Sequence, residues 1–282
     1  MHCVRSLLVF AALAMNGCAT PGPPPAPTPP TSAAVVGELR PGILNGYLDP
    51  GALPDSLALL PAPPAPGSAA QAADDAAYPE LTRLQPTARG TLAVHDADLN
   101  APQALQTFSC AVGVAISAEQ MPNLAMLLRR SMTDAGFAPS RAKNQYHRTR
   151  PFVVFNTHTC TPADEAFLVT DGSYPSGHSS IGWAWALMLA EIAPDRADPI
   201  LQRGRAFGQS RAICGAHWRS DVEAGRLVGA ATLARLHANA LFNAQQQAAR
   251  AEIAAARVHG AVPAADCATE AATLAASSAL AP

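Results

Sequence analysis

Three short segments in the second half of the chain constrain its fold most, because their side chains suit the same ligand. They supply three cations, two histidines and a carboxylate, in the order Lys143 with Arg150-Pro151, then Pro175-Ser-Gly-His178, then Ser210-Arg211 with His217 and Asp221. Transfer of a phosphoryl group needs cations around its equatorial oxygens, an attacking group and a proton donor. The sequence therefore predicts a fold that gathers these side chains around one tetrahedral anion.

The first segment is ambiguous when it is taken alone. Ser140 is placed to cap a helix that carries Lys143 and ends near Pro151. A separation of seven residues, from 143 to 150, is two helical turns, so we expect both cationic heads on one side of that helix. A solvated basic face shared with Arg148 is the alternative.

The second segment leads into an apolar helix. Residues 179–193 carry a helical stripe of Ile181, Trp185, Met188 and Ile192, so Ser176, Gly177 and His178 are expected at the helix N-terminus. Free backbone N–H groups there attract anions, and glycine lets an oxygen approach the backbone closely. Ordinary helix-start punctuation, with His178 as a cap, is the alternative.

The third segment lies between two predicted helices. Asp198-Pro199 favours a helix to about Ile213 with Arg211 in its last turn, and Ser220 with Glu223 favours a capping box that starts the next helix. His217 would then lie in the connecting turn, where the Asp221 carboxylate can reach its imidazole. Alternatively, Asp221 is only an acid that suits the start of a helix.

Helical spacing dominates the rest of the chain, and no alternating strand pattern is convincing. Apolar residues recur at helical intervals in 71–77, 99–108, 122–135, 222–239 and 248–257. With 282 residues and 49% hydrophobic content, the chain can form one sizeable core. We predict an all-α fold. A net charge of -2 provides no global field for nucleic acid, so no nucleic-acid binding is expected.

The N-terminal region indicates export. Residues 1–19 show Arg5, an apolar run and then small residues, which is typical of a signal peptide. Two alternatives stay open: Cys18 is lipidated in a relaxed lipoprotein box, or cleavage after Ala19 discards it. We divide the remainder into a Pro-rich linker (20–45), a catalytic domain (46–267) and a low-complexity tail (268–282). We expect a periplasmic location, with outer-membrane anchoring if Cys18 is lipidated.

Four cysteines belong to the exported domain: Cys110, Cys160, Cys214 and Cys267. An even number in an oxidising compartment favours two disulfides, with three pairings left open by the sequence. A zinc site is the competing interpretation, but no Cys-x2-Cys or close Cys/His grouping supports it.

The joint pattern of the three segments resembles the signature of type 2 phosphatidic acid phosphatases, which vanadium haloperoxidases share. Arg148-Thr-Arg-Pro-Phe152, Gly172 to His178 and Cys214 to Trp218 are similar to the soluble subgroup, the class A bacterial non-specific acid phosphatases. The similarity extends from about Tyr47 to Cys267, and Arg219 stands where that subgroup has Gln. The resemblance implies an all-α helical bundle.

The resemblance also implies a role for each motif residue. His217 would be the nucleophile that forms a phosphohistidine, Asp221 would orient it, and His178 would protonate the leaving alcohol. The phosphate would be bound by Lys143, Arg150, Ser176, Gly177 and Arg211. No metal or other cofactor is expected, and the implied disulfides are Cys160 with Cys214 and Cys110 with Cys267.

The implied substrates are small-molecule phosphate monoesters, hydrolysed with broad specificity and an acidic optimum. Self-association into a homo-oligomer is left open by the resemblance. A vanadate-dependent haloperoxidase would use the same cradle for vanadate. A non-catalytic phosphate-binding envelope lipoprotein is the alternative outside the enzymes.

Overall fold

A computed structural model describes residues 26–277 and shows a helical bundle. The predicted signal peptide and the Cys18 lipidation site lie outside the described residues. The helices are α1 (Ala33–Val36), α2 (Ser56–Leu59), α3 (Ala69–Thr82), α4 (Ala88–His95), α5 (Gln103–Gln106), α6 (Ser109–Val112), α7 (Pro122–Phe137), α8 (Ser140–Tyr146), α9 (Pro151–Val154), α10 (Glu165–Leu168), α11 (Gly177–Ile192), α12 (Ala197–Ile213), α13 (Arg219–Leu236), α14 (Ala240–Val258) and α15 (Cys267–Ala275). Short 3-10 helices cover Pro50–Ala52, Pro162–Asp164 and Pro194–Arg196. The all-α prediction is confirmed.

Helix α11 is the centre of the bundle. It packs against α7, α12 and α13. The predicted stripe is buried, and Ala184 and Leu189 between its members are buried too, as expected for a helix enclosed by others. The indole of Trp185 donates to the Leu128 carbonyl of α7 at 3.0 Å. The N-terminus of α11 is thereby fixed relative to the neighbouring helices.

Glycines allow these helices to approach closely. A Cβ at Gly225 of α13 would lie 2.4 Å from the Ser176 carbonyl oxygen, and one at Gly229 would lie 2.3 Å from that of Ser180. Both contacts are with backbone, which has little room to yield. The start of α13 is consequently held against the start of α11, where two of the three motif segments meet.

Several element boundaries differ from the predictions. The pattern in 99–108 yields only the four-residue helix α5, whereas the pattern in 248–257 belongs to the much longer α14. Helix α4 was not predicted. The low-complexity tail forms α15, which the Cys110–Cys267 disulfide joins to α6.

A small β-hairpin lies in the segment expected to be a linker. Strand β1 (Glu38–Arg40) pairs antiparallel with β2 (Ile43–Leu44). Leu44 is fully buried, and its carbonyl accepts a 2.7 Å hydrogen bond from Thr133 of α7. The packed body therefore begins before residue 46.

Candidate active site

The motif Pro175-Ser-Gly-His178 forms the N-terminus of α11, as predicted. Ser176 is the N-cap residue, and its hydroxyl accepts from the Ser179 N–H at 3.3 Å. The Ser176 N–H donates to the Asp221 carbonyl at 3.0 Å, which ties this turn to α13. The first N–H groups of α11 have no partner within the helix, and this end carries partial positive charge. Ser176 and Gly177 are thus placed where an anion is favoured.

His217 and Asp221 form a hydrogen-bonded pair. The imidazole Nδ1 lies 3.4 Å from Oδ2 of Asp221, and the same oxygen accepts from the Trp218 N–H at 2.8 Å. Because a carboxylate accepts, Nδ1 carries the hydrogen and Nε2 keeps its lone pair. On the other side, Nε2 lies 3.0 Å from Nη1 of Arg150. The nitrogen suited to nucleophilic attack therefore faces a cation.

The prediction of a capping box started by Ser220 is wrong in its register. Helix α13 begins at Arg219 with Trp218 as N-cap, so Asp221 is the third helical residue and accepts the N-cap N–H. The Ser220 hydroxyl instead contacts Asp74. Asp221 is thus both the partner of His217 and an acid at the helix start, because one carboxylate contacts the imidazole and caps α13.

The prediction that Lys143 and Arg150 lie two turns apart on one helix is wrong. Helix α8 ends at Tyr146, His147 adopts the left-handed conformation with φ of 43°, and Arg150 is the N-cap residue of α9. Pro151 favours a helix start at this point, which breaks the expected continuous helix. The two cations still meet, because Lys143 Nζ and Arg150 Nη2 lie 2.8 and 2.9 Å from the same oxygen of Asp171.

Arg211 lies in the last turn of α12 and is almost fully buried. Its Nε and Nη1 atoms are buried and have no hydrogen-bond partner among residues 26–277. Leaving charged donors buried and unpaired is costly. A guanidinium in this state fits a site for an anion, whose oxygens would accept from these donors.

His178 reaches the same region from α11. Its Nε2 lies 3.1 Å from the Ala97 carbonyl, so Nε2 carries a hydrogen and donates, and Nδ1 is left for other chemistry. The residue before Ala97 is held firmly: the buried Asp96 carboxylate accepts from Arg203 Nη1 at 3.1 Å and from the Ser210 hydroxyl at 2.5 Å. The partner of the imidazole is therefore fixed.

Charged residues from all three segments shift one another's pKa values, as expected for a single site. Burial, followed by Arg150, Lys143 and Arg211, holds the pKa of His217 well below its usual range. Burial and the Arg211 charge lower the pKa of His178 to about 3. Burial likewise lowers the pKa of Arg211 to about 10, and Arg150 adds to this effect. The three cations thus act on both imidazoles, which are neutral at the pH of most cells.

Burial raises the pKa of Asp221, and the Arg148 guanidinium and the Trp218 N–H oppose that effect. Arg148 Nη1 lies 2.6 Å from Oδ1 of Asp221. The carboxylate therefore has a cation on one oxygen and His217 on the other. Its ionised form depends on these partners because no bulk water reaches it.

Sequence reasoning missed three contributors to the site. Asp171 lies four residues before Pro175 of the second motif, and this nearness to the motif is a usable signal. Arg148 enters the sequence analysis only as part of a family-like segment and of an alternative solvated face, whereas its side chain is only 7% exposed. Asp74, which contacts Arg148 from α3, carried no local signal.

The predicted disulfide pairing is confirmed. Cys110 is bonded to Cys267, and Cys160 to Cys214. The second disulfide lies three residues before His217, and the Cys160 N–H also donates to the Cys214 carbonyl at 3.1 Å. It fastens the loop after α9 to the turn that carries His217.

Two further properties concern the described residues as a whole. Between residues 26 and 277, no group of three or more His, Cys, Asp or Glu side chains is arranged to hold a metal ion. In the same part of the chain, no helix is both long and apolar enough to cross a bilayer.

Comparison with known proteins agrees with this geometry. Residues 124–244 match the model of the PAP2 superfamily. The chain is 47% identical over 201 residues to a non-specific acid phosphatase of Providencia stuartii, covering 71% of this chain and 81% of the relative. It is 43% identical over 209 residues to an acid phosphatase of Zymomonas mobilis, covering 74% and 79%. A non-specific acid phosphatase of Salmonella typhimurium is 43% identical over 195 residues, covering 69% and 78%. The chain therefore belongs to the acid phosphatases of the PAP2 superfamily.

Proposed function

We propose that this protein is an exported acid phosphatase that hydrolyses phosphate monoesters with broad specificity through a phosphohistidine on His217. The observation that carries the proposal is the buried Arg211 guanidinium, two donors of which find no partner in the described part of the chain, in a site shared with Lys143, Arg150 and both imidazoles. Such donors fit the equatorial oxygens of a phosphoryl group, and arginine's planar fork suits them. Two relatives carry the name non-specific acid phosphatase, which supports the breadth of substrates.

In the first step, the lone pair on His217 Nε2 attacks phosphorus and the bond to the ester oxygen breaks. His178 gives the Nδ1 proton to that oxygen, so the alcohol leaves neutral. Asp221 accepts a hydrogen bond from Nδ1–H of His217 without taking the proton, and it stabilises the positive charge that the imidazole gains. Lys143, Arg150 and Arg211 stabilise the oxygens of the transition state, with the Ser176 hydroxyl and the N–H of Gly177.

In the second step, water attacks phosphorus and the bond to Nε2 breaks. His178 accepts a proton from that water. Inorganic phosphate is then released, and the free enzyme is regenerated. His178 must be protonated in the first step although burial and the cations lower its pKa. The negative charge of a bound substrate favours protonation. An acidic optimum follows from this need.

We test this with His217→Ala, assayed with p-nitrophenyl phosphate near pH 5. Turnover should be lost almost completely, and rapid alkaline quenching followed by peptide mass spectrometry should find phosphohistidine at residue 217 in the wild-type protein and the control variant but not in His217→Ala. His237→Ala is the matched control, because His237 is exposed and pairs with Glu191. Wild-type turnover in His217→Ala would exclude the mechanism. Vanadate-dependent halide oxidation is measured in parallel, since a haloperoxidase would show it.

The location and the division of the chain are part of the proposal. The signal-like residues 1–19 and the two disulfides support export into an oxidising compartment. Lipidation of Cys18 after the signal would anchor the protein through the Pro-rich segment. Periplasmic fractionation together with fatty-acid labelling distinguishes a free protein from an anchored one.

A further inference from the structure

Arg148 connects two buried carboxylates. Its Nη1 donates to Asp221 at 2.6 Å, and its Nη2 donates to Asp74 at 2.8 Å. Asp74 is 3% exposed and Asp221 is fully buried. The guanidinium therefore lies on the side of Asp221 that faces away from His217. It belongs to a different layer from the three cations that surround the imidazoles.

Helix α3 completes this layer from a part of the chain that precedes the three motif segments. Asp74 accepts from the Ser220 N–H at 3.0 Å and also from the Ser220 hydroxyl. Gln71, one turn earlier, accepts from Arg148 Nη2 at 2.7 Å. Helix α3 lies before residues 124–244, so these contacts come from a part of the chain that the family-model match does not include. They fix Arg148 and the first turn of α13 to one another.

The charges around Asp221 show why such a clamp matters. Besides Arg148 and His217, the groups that act on it are Lys143, Arg150 and Tyr174. Arg148 is the one hydrogen-bonded to it among the cations of the described residues. An unopposed buried carboxylate takes up a proton readily, and a protonated Asp221 could no longer stabilise a positive His217.

We propose that Arg148 and Asp74 are positioning residues: Arg148 keeps Asp221 ionised, and Asp74 holds the guanidinium so that Asp221 stays aimed at His217 and the pair works at acidic pH. The proposal rests on the function proposed above. Arg148 supplies the positive charge that opposes protonation. Asp74 limits that charge and holds the guanidinium in place.

The two residues have opposite electrostatic effects, which makes the proposal testable. Removing Arg148 takes a positive charge from the pair, so the pair takes up a proton at higher pH. Removing the Asp74 charge leaves the Arg148 charge less balanced, so the pair takes up a proton at lower pH. The direction of each shift is the same whether His217 or Asp221 receives the proton.

The experiment measures the pH dependence of kcat and KM for p-nitrophenyl phosphate in Arg148→Met, Arg148→Lys and Asp74→Asn. We expect the acid limb to move up by about 1 pH unit or more in Arg148→Met and to return partly in Arg148→Lys. In Asp74→Asn it should move down while kcat falls, and KM should change little throughout. Glu80→Gln is the control, because Glu80 lies on α3 in an exposed ion pair with Arg83.

A merely structural role would lower activity without moving the limb in opposite directions. An acid limb that stays in place in Asp74→Asn and in a folded Arg148→Met, with folding verified by circular dichroism, would overturn the proposal. Asp74→Asn carries the test if Arg148→Met does not fold. Failure of the proposed function is distinguishable, because wild-type protein would then show no phosphohistidine at His217.

Discussion

At the scale of single residues, the site is a set of buried charges that compensate one another only in part. Lys143 and Arg150 share one oxygen of Asp171, whereas two donors of Arg211 have no partner within the residues that the structure describes. Buried ion pairs are a poor source of stability, because desolvation offsets much of their attraction. The arrangement is better explained by a ligand: strongly perturbed ionisable groups gathered in one place indicate function.

Asp171→Asn should tighten the binding of inorganic phosphate. The carboxylate occupies donors of Lys143 and Arg150 and carries the same sign of charge as the ligand. We expect the inhibition constant of phosphate at pH 5 to fall roughly 3- to 30-fold, since a partly screened charge contributes about 0.7–2 kcal/mol. Asp164→Asn is the control, because it removes an exposed carboxylate near Arg211. Weaker phosphate binding in Asp171→Asn would mean that Asp171 mainly orients the cations.

The sequence predicts which residue types form the site, but it does not predict which side chains they contact. The identity and order of the motif residues indicated an anion site, because few other ligands need three cations and two imidazoles. That Lys143 and Arg150 meet at Asp171 depends on the break between α8 and α9. The sequence pattern around Pro151 allows a break but does not locate it. The role of Arg148 depends on Asp74, which is distant in sequence and has no motif of its own.

At the scale of elements, prediction succeeded where burial imposes a period. Helices α7 and α11 carry apolar stripes that pack in one core, and their predicted positions are confirmed. The β-hairpin and α4 were missed for the opposite reason. Strands of two or three residues cannot show an alternating pattern, and α4 buries few residues, among them Arg89 and Gly90.

Gly225→Ala should destabilise the contact between α11 and α13. The new Cβ would lie 2.4 Å from the Ser176 carbonyl oxygen and 2.9 Å from the Ser179 Cβ, so the helices must separate. Overpacking of this kind costs about 1–3 kcal/mol. Urea unfolding measures the loss, and kcat should fall as well because Ser176 and His217 move apart. Gly51→Ala is the control, since nothing lies within 4 Å of a Cβ there. An unchanged free energy of unfolding in Gly225→Ala would show that the helices shift freely.

At the scale of the whole molecule, phosphate binding, protonation and stability are linked through His178. Folding lowers the pKa of His178 to about 3, compared with about 6.5 in an unfolded chain. The neutral imidazole is therefore favoured by the fold. Its contribution to stability is complete above about pH 6.5 and is lost as the pH falls toward 3. Asp134 has the opposite sign, because burial raises its pKa to about 6.

The comparison of wild-type protein with His178→Gln isolates the histidine from the other groups. Between pH 7 and pH 4.5, the free energy of unfolding of the wild type should fall by about 2 kcal/mol more than that of the variant, because only the wild type must keep this imidazole neutral. Urea unfolding at both pH values gives the difference. Saturating phosphate should restore part of the lost stability at pH 4.5, since a bound anion allows His178 to ionise.

Calorimetry in buffers of different ionisation enthalpy should accordingly detect proton uptake when phosphate binds to the wild type, and less in His178→Gln. Parallel pH dependence in the two proteins, with no proton uptake in either, would mean that His178 does not couple the site to the stability of the fold.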